Sequence, residues 1–404
     1  MHNSKRTKLR NYLMEFPNYI SLFIYSFFMM LSSPILLDMG TYFNVSPENM
    51  NLVITFFSIG VVSGIIALYF LDKQLKSSTI IVWTHILLLP ALAGLILTTS
   101  LNLFYILYFI SGFFMGIIFM NANTRMIEGK VENKDSIVNL GHSFFAMGAL
   151  TAPFFSSGIV SRQINWKLIY LAVIIFVLLS LALYLYQNKR NNSRKDLIVK
   201  NKAFYARELL QNRNKFIYMA ITITLHFFYV MSEVTVFSWT PTFFRIEKLF
   251  DLYNASFIVS LFWAGILAGR LLVSFLSYKF RAGTLLIALS IISLTGLSLI
   301  IFPVNREINF IGAALTGLGF SGIPPLLISS AGRIFTSGKD LVLTIFFAVG
   351  IGGGSFIPFI IRAIANYSLF ASMIIAIIFM VIIAILVIIR KHYRKTLKEV
   401  KKIS

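Results

Sequence analysis

Glu233 is the residue whose type and position most strongly indicate chemistry in this sequence. It lies in an otherwise apolar stretch of about 23 residues, Phe216 to Ser238, which as a helix is long enough to cross the hydrocarbon core of a bilayer. A carboxylate at that depth costs roughly 2.5–3.5 kcal/mol on insertion scales, so such acids usually face a watery cavity or a partner group. The alternative is that Trp239 and Pro241 mark the membrane interface, which leaves Glu233 solvated near the outer end of the helix.

Two histidines and one aspartate in apolar stretches are further candidates for handling protons. His142 and His226 can titrate between pH 5 and 8, and Asp38 closes the first apolar stretch. Neutral histidines that hydrogen-bond a neighbouring helix and interfacial carboxylates in water are common, and that interpretation stays open for each. We select Glu233, His142 and Asp38 as proton-coupling candidates and give His226 and His85 less weight.

Four polar or aromatic side chains in the apolar stretches are candidates for binding a solute or closing a gate. Arg270 stays charged at any accessible pH, so it must pair with a carboxylate, carbonyls or a ligand, or else extend towards the cytoplasmic side. We interpret it first as an anchor at the inner gate and second as a substrate contact. Asn121 and Asn123 carry amides that suit hydroxyl-rich ligands, although amides also bridge helices. Trp239 adds an aromatic face that suits a sugar ring.

The composition excludes a soluble protein. Of the 404 residues, 57% are hydrophobic and only 13% are charged, which is typical of a chain that crosses the membrane many times. The absence of cysteine excludes disulfides and thiolate chemistry. The net charge of +21 resides in loops and tails without interleaved aromatics, which favours lipid headgroups over nucleic acid. We find no nucleophile–base pair, phosphate-binding loop or metal constellation, and we predict neither an enzyme nor a cofactor or metal site.

Twelve apolar stretches of spanning length divide into two sets of six. The first set comprises Asn18–Met39, Asn51–Leu71, Thr79–Thr99, Leu101–Asn123, Val138–Val160 and Trp166–Tyr186, and the second comprises Phe216–Ser238, Ala255–Leu276, Thr284–Val304, Asn309–Ser330, Leu341–Ile364 and Ser368–Ile389. We therefore predict an all-α membrane protein with twelve transmembrane helices in two pseudo-symmetric six-helix halves, residues 18–186 and 216–389. Pro324-Pro325 and the glycine run at 350–354 should make the tenth and eleventh helices bend more easily than their neighbours.

The distribution of positive charge predicts the orientation. Of the 36 Lys and Arg residues, 29 lie in segments that face the cytoplasm if the N-terminus is inside. Residues 1–17 then form a cytoplasmic tail that leads into an uncleaved first helix, and residues 390–404 form a second basic cytoplasmic tail. The basic segment 187–215 is a cytoplasmic linker, in which Lys202–Gln211 is either a short helix on the membrane surface or simply solvated.

The two halves repeat a pattern of small residues at a nearly fixed offset. The pairs at an offset of 205 residues are Gly60 and Gly265, Gly64 and Gly269, Gly112 and Gly317, and Pro153 and Pro358. At an offset of 202, the sequence Phe-Phe-Ala-x-Gly at 144–148 recurs at 346–350. Such similarity is typical of paired structural repeats, and transporters built in this way place substrate at the repeat interface. For each glycine taken singly, close helix packing is the simpler interpretation.

Twelve helices in two halves with a long basic central loop resemble the major facilitator superfamily, and the resemblance covers nearly the whole chain. Three segments resemble its fucose/glucose-type proton symporter branch. The seventh helix has Glu233 followed six residues later by Trp239, the fifth has Asn139-Leu-Gly141-His142-Ser143, and the eighth has Gly269-Arg270. The resemblance implies a transporter that works by alternating access between its two halves.

Three positions depart from the pattern of that branch. Ser33-Pro34 stand where the branch has a coupling acid before Ile-Leu-Leu in the first helix, and Phe119 stands where the fourth-helix acid would fall. Leu68 replaces a glycine expected four residues before Asp72. The proton mechanism of the branch therefore does not transfer in detail. If this chain couples to protons, Glu233, Asp38 or His142 must substitute.

Our hypothesis is uptake of a small polar solute, a sugar or polyol, coupled to proton entry across a bacterial inner or plasma membrane. We expect protons and a small molecule as partners, lipid around the helices, no nucleic acid, and a monomer. Export of drugs or metabolites by proton antiport is an alternative, since Gly148-x-x-x-Ala152-Pro153 resembles a degraded antiporter signature. A non-transporting scaffold or receptor of the same fold is the third hypothesis.

Overall fold

Twelve helices long and apolar enough to cross a membrane are present in the part of the chain that the structure describes, which is residues 2–71, 74–128, 134–190, 213–302, 305–332 and 339–403 of a computed structural model. In chain order they are α1 (His2–Leu31 and Leu36–Phe43), α2 (Pro47–Met50 and Leu52–Leu71), α3 (Ser77–Leu97), α4 (Leu101–Glu128), α5 (Lys134–Ser161), α6 (Ile169–Arg190), α7 (Arg213–Ile246), α8 (Leu252–Lys279), α9 (Ala282–Ile301), α10 (Arg306–Phe320 and Ile323–Gly332), α11 (Lys339–Ala365) and α12 (Leu369–Ile403). The predicted all-α fold with twelve spanning helices is confirmed for these residues.

Proline interrupts two of the helices. A 3-10 turn at Ser33–Ile35 divides α1, and α10 is divided between Phe320 and Ile323. Pro34 lies inside that turn, whereas Pro324 and Pro325 lie in the first turn of the second part of α10, where a missing N–H leaves no intrahelical bond unmade. The predicted interruption of α10 is thus confirmed. The glycine run at 350–354, in contrast, does not break α11, which is continuous.

The chain folds into two compact units, Met1–Val199 and Lys200–Ser404. The first unit holds α1 to α6 and the second holds α7 to α12. Most of the predicted linker at 187–215, including the segment Lys202–Gln211, lies outside the described residues. The predicted tail at 390–404 continues α12 as far as Ile403.

Glycine brings two helix pairs into backbone contact, α2 with α4 in the first unit and α8 with α10 in the second. A Cβ added at each of these glycines would overlap a carbonyl oxygen of the facing helix. The glycines and the residues whose oxygens they face are Gly60 and Phe109, Gly64 and Phe113, Gly112 and Phe57, Gly265 and Ala314, and Gly317 and Phe262. The small-residue repeat is therefore a packing device, as expected for helices in lipid, and it occurs at matched positions in both units.

Capping of the helices is repeated as well. Ser46 and Asp251, which begin α2 and α8, accept the N–H of the residue three positions later at 3.4 and 3.0 Å. Ser100 and Asn305 do the same before α4 and α10, at 3.5 and 3.1 Å. Both pairs are separated by 205 residues, so the offset seen in the glycines also relates the residues that satisfy helix N-termini.

Candidate functional site

Helix α7 carries Glu233 deep in its interior. The alternative interpretation of the sequence placed Trp239 and Pro241 at the membrane interface and Glu233 near the end of the helix, but α7 continues to Ile246. A proline removes only one backbone hydrogen bond, and the other backbone groups inside a membrane are still paired within the helix. Glu233 therefore precedes the end of α7 by thirteen residues, about 20 Å at the rise of an α-helix. This depth favours the functional interpretation of the carboxylate over the solvated one.

Glu233 has a hydroxyl partner and a cationic neighbour. The Tyr229 hydroxyl, one turn earlier on α7, donates a hydrogen bond to Oε1 of Glu233 at 2.7 Å. Arg270 of α8 interacts electrostatically with both side chains. Tyr229 is buried, whereas Glu233 and Arg270 are half-buried. The three side chains form a site, here called the α7–α8 acid site, that can gain or lose one proton next to a fixed positive charge.

Aromatic rings border the α7–α8 acid site. His226 stacks on Phe346 of α11 with ring centroids 3.7 Å apart, and on Tyr229 at 5.9 Å. Phe320 of α10 also packs against Tyr229, with ring centroids 5.4 Å apart. His226 is buried, and its Nδ1 makes no hydrogen bond to any residue in the described ranges. The histidine fits against α11 because Gly350 has no side chain, since a Cβ there would contact the imidazole at 2.5 Å.

The other two proton-coupling candidates belong to the first unit. Asp38 lies in the first turn of the second part of α1, and His142 lies in α5, and both are half-buried. Both side chains take part in interactions within the protein. Neither belongs to the α7–α8 acid site, which is formed by residues of the second unit.

The predicted substrate and gate residues other than Arg270 are engaged in packing. The indole N–H of Trp239, which is fully buried, donates to Oγ of Ser372 in α12 at 2.7 Å. Asn121 accepts a hydrogen bond from the Ser77 hydroxyl at 3.1 Å, which ties α4 to the start of α3. Asn123 donates to the carbonyl of Phe119 on its own helix at 2.8 Å. All three are at most 6% exposed, which favours helix bridging over ligand contact.

The positions where the sequence lacks the expected acids are filled in other ways. Ser33 and Pro34 lie in the buried 3-10 turn of α1, and the Phe119 ring packs against that of Tyr25 at a tilt, with centroids 4.6 Å apart. Tyr229 is the residue of the acid site that sequence reasoning missed, although its spacing of four residues from Glu233 places both on one face of α7.

In the described residues there is no group of three or more His, Cys, Asp or Glu side chains that could hold a metal ion.

Known proteins resemble this chain over most of its length. The Protein TsgA homolog of Buchnera aphidicola subsp. Schizaphis graminum is 25% identical over 400 residues, covering 93% of this chain and 96% of the relative. The glucose/mannose transporter GlcP of Bacillus subtilis is 25% identical over 329 residues, covering 79% and 80%. A crystal structure of a D-xylose-proton symporter superposes with a TM-score of 0.77 at 13% identity, covering 93% and 96%, and therefore shares the fold. The sequence model of the Major Facilitator Superfamily matches residues 19–308, and the chain belongs to this superfamily of transporters.

Proposed function

We propose that this transporter takes up a sugar or a related polyol together with a proton, and that Glu233 is the proton-binding group. The observation that carries the proposal is the α7–α8 acid site, in which a half-buried carboxylate accepts a hydrogen bond from Tyr229 and interacts with Arg270. The name of the GlcP relative, a glucose/mannose transporter, supports sugar as the substrate class. The fold shared with a D-xylose-proton symporter is compatible with proton coupling.

Proton binding to Glu233 changes the partner available to Arg270. When Glu233 is ionised, its negative charge offsets the fixed charge of the guanidinium inside the membrane span. When Glu233 is protonated, that attraction is lost, and the guanidinium donors become available to acceptors such as sugar hydroxyls or backbone carbonyls. A proton that binds the outward-facing state more tightly than the inward-facing state then shifts the equilibrium between them and drives uptake.

Arg270 is therefore our candidate for substrate contact, ahead of its earlier interpretation as an inner-gate anchor. Among the predicted substrate residues it is the one whose side chain is half-buried rather than buried. We propose that Trp239 acts by holding α7 against α12, and that Asn121 and Asn123 act by fixing α4. Asp38 and His142 remain second candidates for proton coupling.

The membrane placement follows from charge. We propose that the protein resides as a monomer in a bacterial inner or plasma membrane with both termini in the cytoplasm. Its support is the excess of Lys and Arg, 29 of 36, in the segments that this orientation places inside.

The proposal is tested in proteoliposomes that contain a pH-sensitive dye, with a panel of sugars and polyols added outside. In the wild type, the correct solute should acidify the lumen. Glu233→Gln should abolish this acidification but keep solute exchange between equal concentrations, because glutamine resembles the protonated carboxyl. Glu247→Gln is the matched control, since Glu247 is exposed just beyond the end of α7 and the chemical change is identical.

Three results contradict the proposal in distinguishable ways. Silence of well-folded wild-type protein across the panel rejects sugar or polyol uptake and favours the scaffold hypothesis. Lumen acidification that occurs only when solute is loaded inside indicates antiport and export. Unchanged acidification in Glu233→Gln keeps symport but assigns the proton to Asp38 or His142.

A further inference from the structure

His226 of α7 is a buried titratable side chain that the proposed transport mechanism does not use. It lies three residues before Tyr229 and seven before Glu233, and steps of three, four and seven residues return to the same face of an α-helix. The imidazole is 5% exposed, and its Nδ1 makes no hydrogen bond to any residue in the described ranges. Because buried polar atoms are normally paired, we expect Nδ1 to bind a water molecule that connects it to other polar groups.

Tyr229 lies between His226 and Glu233 on this face. Its hydroxyl donates to Oε1 of Glu233 at 2.7 Å. Its ring lies nearly parallel to the imidazole of His226, with the two centroids 5.9 Å apart and the two planes at 12°. Water between the Tyr229 hydroxyl and Nδ1 therefore completes a hydrogen-bonded path from the carboxyl group of Glu233 to the imidazole.

The same face of α7 is apolar on the other side of Glu233. The next turn contributes Val236 and Phe237, both buried, before the face reaches the hydroxyl of Thr240. No side chain in that turn plays the part that Tyr229 plays in the turn before Glu233. The polar path of α7 therefore leads from Glu233 towards the end of the helix that begins at Arg213, which the proposed orientation places in the cytoplasm.

Aromatic rings of α11 hold the imidazole of His226 in place. It stacks on Phe346 with centroids 3.7 Å apart and planes at 8°, and it meets Phe347 at 86° with centroids 6.3 Å apart. A Cβ at Gly350 would lie 2.5 Å from Nε2, so the backbone of α11 comes close to that edge of the ring. The position of Nδ1 relative to Tyr229 is therefore fixed by packing.

Two permanent positive charges lie along α7 on either side of His226. Arg270 of α8 interacts with Glu233, and Arg390 of α12 donates to the Thr222 hydroxyl at 2.9 Å, one turn before His226. Both guanidinium groups keep their charge at any accessible pH. They oppose a lasting positive charge on the imidazole, so a proton that reaches it is passed on and not stored.

We propose that His226 receives the proton that Glu233 releases and passes it to water at the end of α7 that begins at Arg213. This inference rests on the proposed function. In the transfer, the carboxyl group of Glu233 gives its proton to the oxygen of Tyr229, whose own proton passes through the connecting water to Nδ1. Glu233 becomes a carboxylate beside Arg270, Tyr229 and the water recover their original protonation, and the imidazole then loses its proton to water.

The test compares proton movement with solute exchange in the proteoliposomes described above. His226→Gln keeps a polar side chain but removes the group that accepts a proton at neutral pH. Solute-driven acidification of the lumen should slow roughly tenfold or more, the usual minimum contribution of a positioned acid–base group. Exchange between equal solute concentrations needs no net release of protons and should keep its wild-type rate. A purely structural role of His226 would slow both processes.

His85→Gln is the matched control for the same chemical change. His85 is fully buried in the first unit, and its ring nitrogens lie 2.7 Å from the carbonyl oxygen of Ile81 and 3.0 Å from the hydroxyl of Ser180. Both rates should be unchanged in this variant. If His226→Gln does not fold, His226→Phe keeps a ring stacked on Phe346 while it removes both ring nitrogens, and the same two rates decide.

The outcomes separate this inference from the function on which it rests. Wild-type acidification that is equally fast in His226→Gln overturns the inference and leaves the proposed function intact. Acidification and exchange that slow together also overturn it, because His226 would then act through the fold. Silence of the wild type rejects the proposed function and this inference with it.

Nitrogen NMR of labelled histidine in lipid nanodiscs tests the water contact without any solute. The signals of His226 are those that His226→Gln removes. Magnetisation transfer from water should reach Nδ1 of His226 but not the ring nitrogens of His85, which bond to protein groups. Tyr229→Phe should preserve this water contact and slow acidification as His226→Gln does. Absence of transfer to Nδ1 overturns the inference.

Discussion

The two units share a frame but differ at the positions that carry charge. A Cβ at Gly148 would meet Phe23 and Ser26 of α1, and a Cβ at Gly350 would meet His226 and Val230 of α7. Matching Ser26 with Val230 aligns α1 with α7 at an offset of 204 residues. In this alignment Tyr229 corresponds to Tyr25, and both are buried. Glu233, however, corresponds to Met29, and at the glycine offset of 205 residues Arg270 corresponds to Ile65. The acid site of the second unit is thus an apolar site in the first.

The two units differ again near the first residues of the apolar spans of α1 and α7. In the first unit the Ser21 hydroxyl lies 3.2 Å from that of Tyr184 and 3.3 Å from that of Ser180. The second unit has Arg390 there, which donates to Thr222 at 2.9 Å and to Ser330 at 2.5 Å and lies 4.5 Å from the centroid of the Tyr218 ring. A guanidinium among hydroxyls does not change its charge with pH. The second unit therefore holds a permanent charge where the first holds a set of hydrogen-bonded hydroxyl groups. Repetition preserves helix packing and capping, while ionisable chemistry is distributed unequally.

The strongest test of the difference between the two units introduces a carboxylate into the first unit at the position equivalent to Glu233. Met29→Glu places an acid at the position equivalent to Glu233 but opposite Ile65, which supplies no cation. We expect a loss of stability of roughly 2.5–3.5 kcal/mol, the insertion cost of an intramembrane acid, measured by thermal unfolding in detergent. In a Glu233→Gln background the same change should not restore solute-driven proton uptake. Restored coupling would mean that the two positions are interchangeable and that the contrast has no functional meaning.

The shared frame is tested by glycine substitutions. Gly112→Ala and Gly317→Ala each place a Cβ against a carbonyl oxygen of the facing helix, so each should destabilise the protein by about 1–3 kcal/mol. Gly352→Ala is the control, because no atom lies within 4 Å of the added Cβ, and it should be neutral or slightly stabilising. The measurement is the unfolding temperature of the three variants. Unequal effects of the two contact glycines would show that the repeat is not equivalent in packing.

Removing the positive charge of Arg270 tests whether the α7–α8 acid site depends on a cation that the first unit lacks. Arg270→Gln should lower the initial rate of proton-coupled uptake roughly tenfold, which corresponds to about 1.4 kcal/mol of lost interaction with Glu233. The double variant Arg270→Gln/Glu233→Gln should exchange solute more slowly than Glu233→Gln alone, because Arg270 is our candidate for substrate contact. Ile65→Gln, the equivalent change in the first unit, should leave the number of protons per solute unchanged. Exchange that is equally fast in the double variant and in Glu233→Gln would instead show that Arg270 acts through the carboxylate and does not contact the substrate.

The smallest expected difference between the two units concerns the pH dependence of the N-caps Ser46 and Asp251. Ser46→Ala and Asp251→Ala should each destabilise by about 1 kcal/mol through loss of the N-cap. Partial burial acts to raise the pKa of Asp251, but hydrogen bonds from Asn254 outweigh it and hold that pKa below its ordinary value of 3.8. A lowered pKa adds stability that is fully present above the ordinary value and is lost as the pH falls through the folded-state value. The effect of Asp251→Ala should therefore fade below about pH 4 in unfolding measurements, whereas that of Ser46→Ala should not.

Periodic features of this chain were predictable from its sequence, whereas contacts between distant residues were not. The glycine pairs and the break at Pro324 were predictable because a missing Cβ or a missing N–H affects packing or hydrogen bonding at that residue itself. Glu233 could be singled out for the same reason, since an acid in an apolar span is visible without a fold. The apolar stretch that ends at Ser238 did not reveal that α7 continues to Ile246, because a membrane enforces backbone pairing beyond Pro241.

The partners of the predicted residues required the fold. Arg270 is on a different helix from Glu233, and the sequence alone allowed a carboxylate, backbone carbonyls or a ligand as its partner. The same limit hid the hydrogen bond between Ser21 and Tyr184, which lie 163 sequence positions apart. Asn121 was ambiguous between ligand and helix contact until its bond to Ser77 was seen.

The backbone contacts made by glycine also constrain how this gene can change. Every single-base substitution of a glycine codon that yields another amino acid yields one with a Cβ. At the contact glycines between α2 and α4 or between α8 and α10, that Cβ would overlap the facing backbone, so no single-base change there is conservative. Lysine, asparagine, isoleucine and phenylalanine are abundant in this chain, as in genes whose base composition is rich in A and T. A mutational bias towards A and T changes glycine codons, which begin with GG, into codons for residues with side chains. The contact glycines thus stand against the mutational bias suggested by the rest of the sequence, and they should be the last positions at which homologous chains diverge.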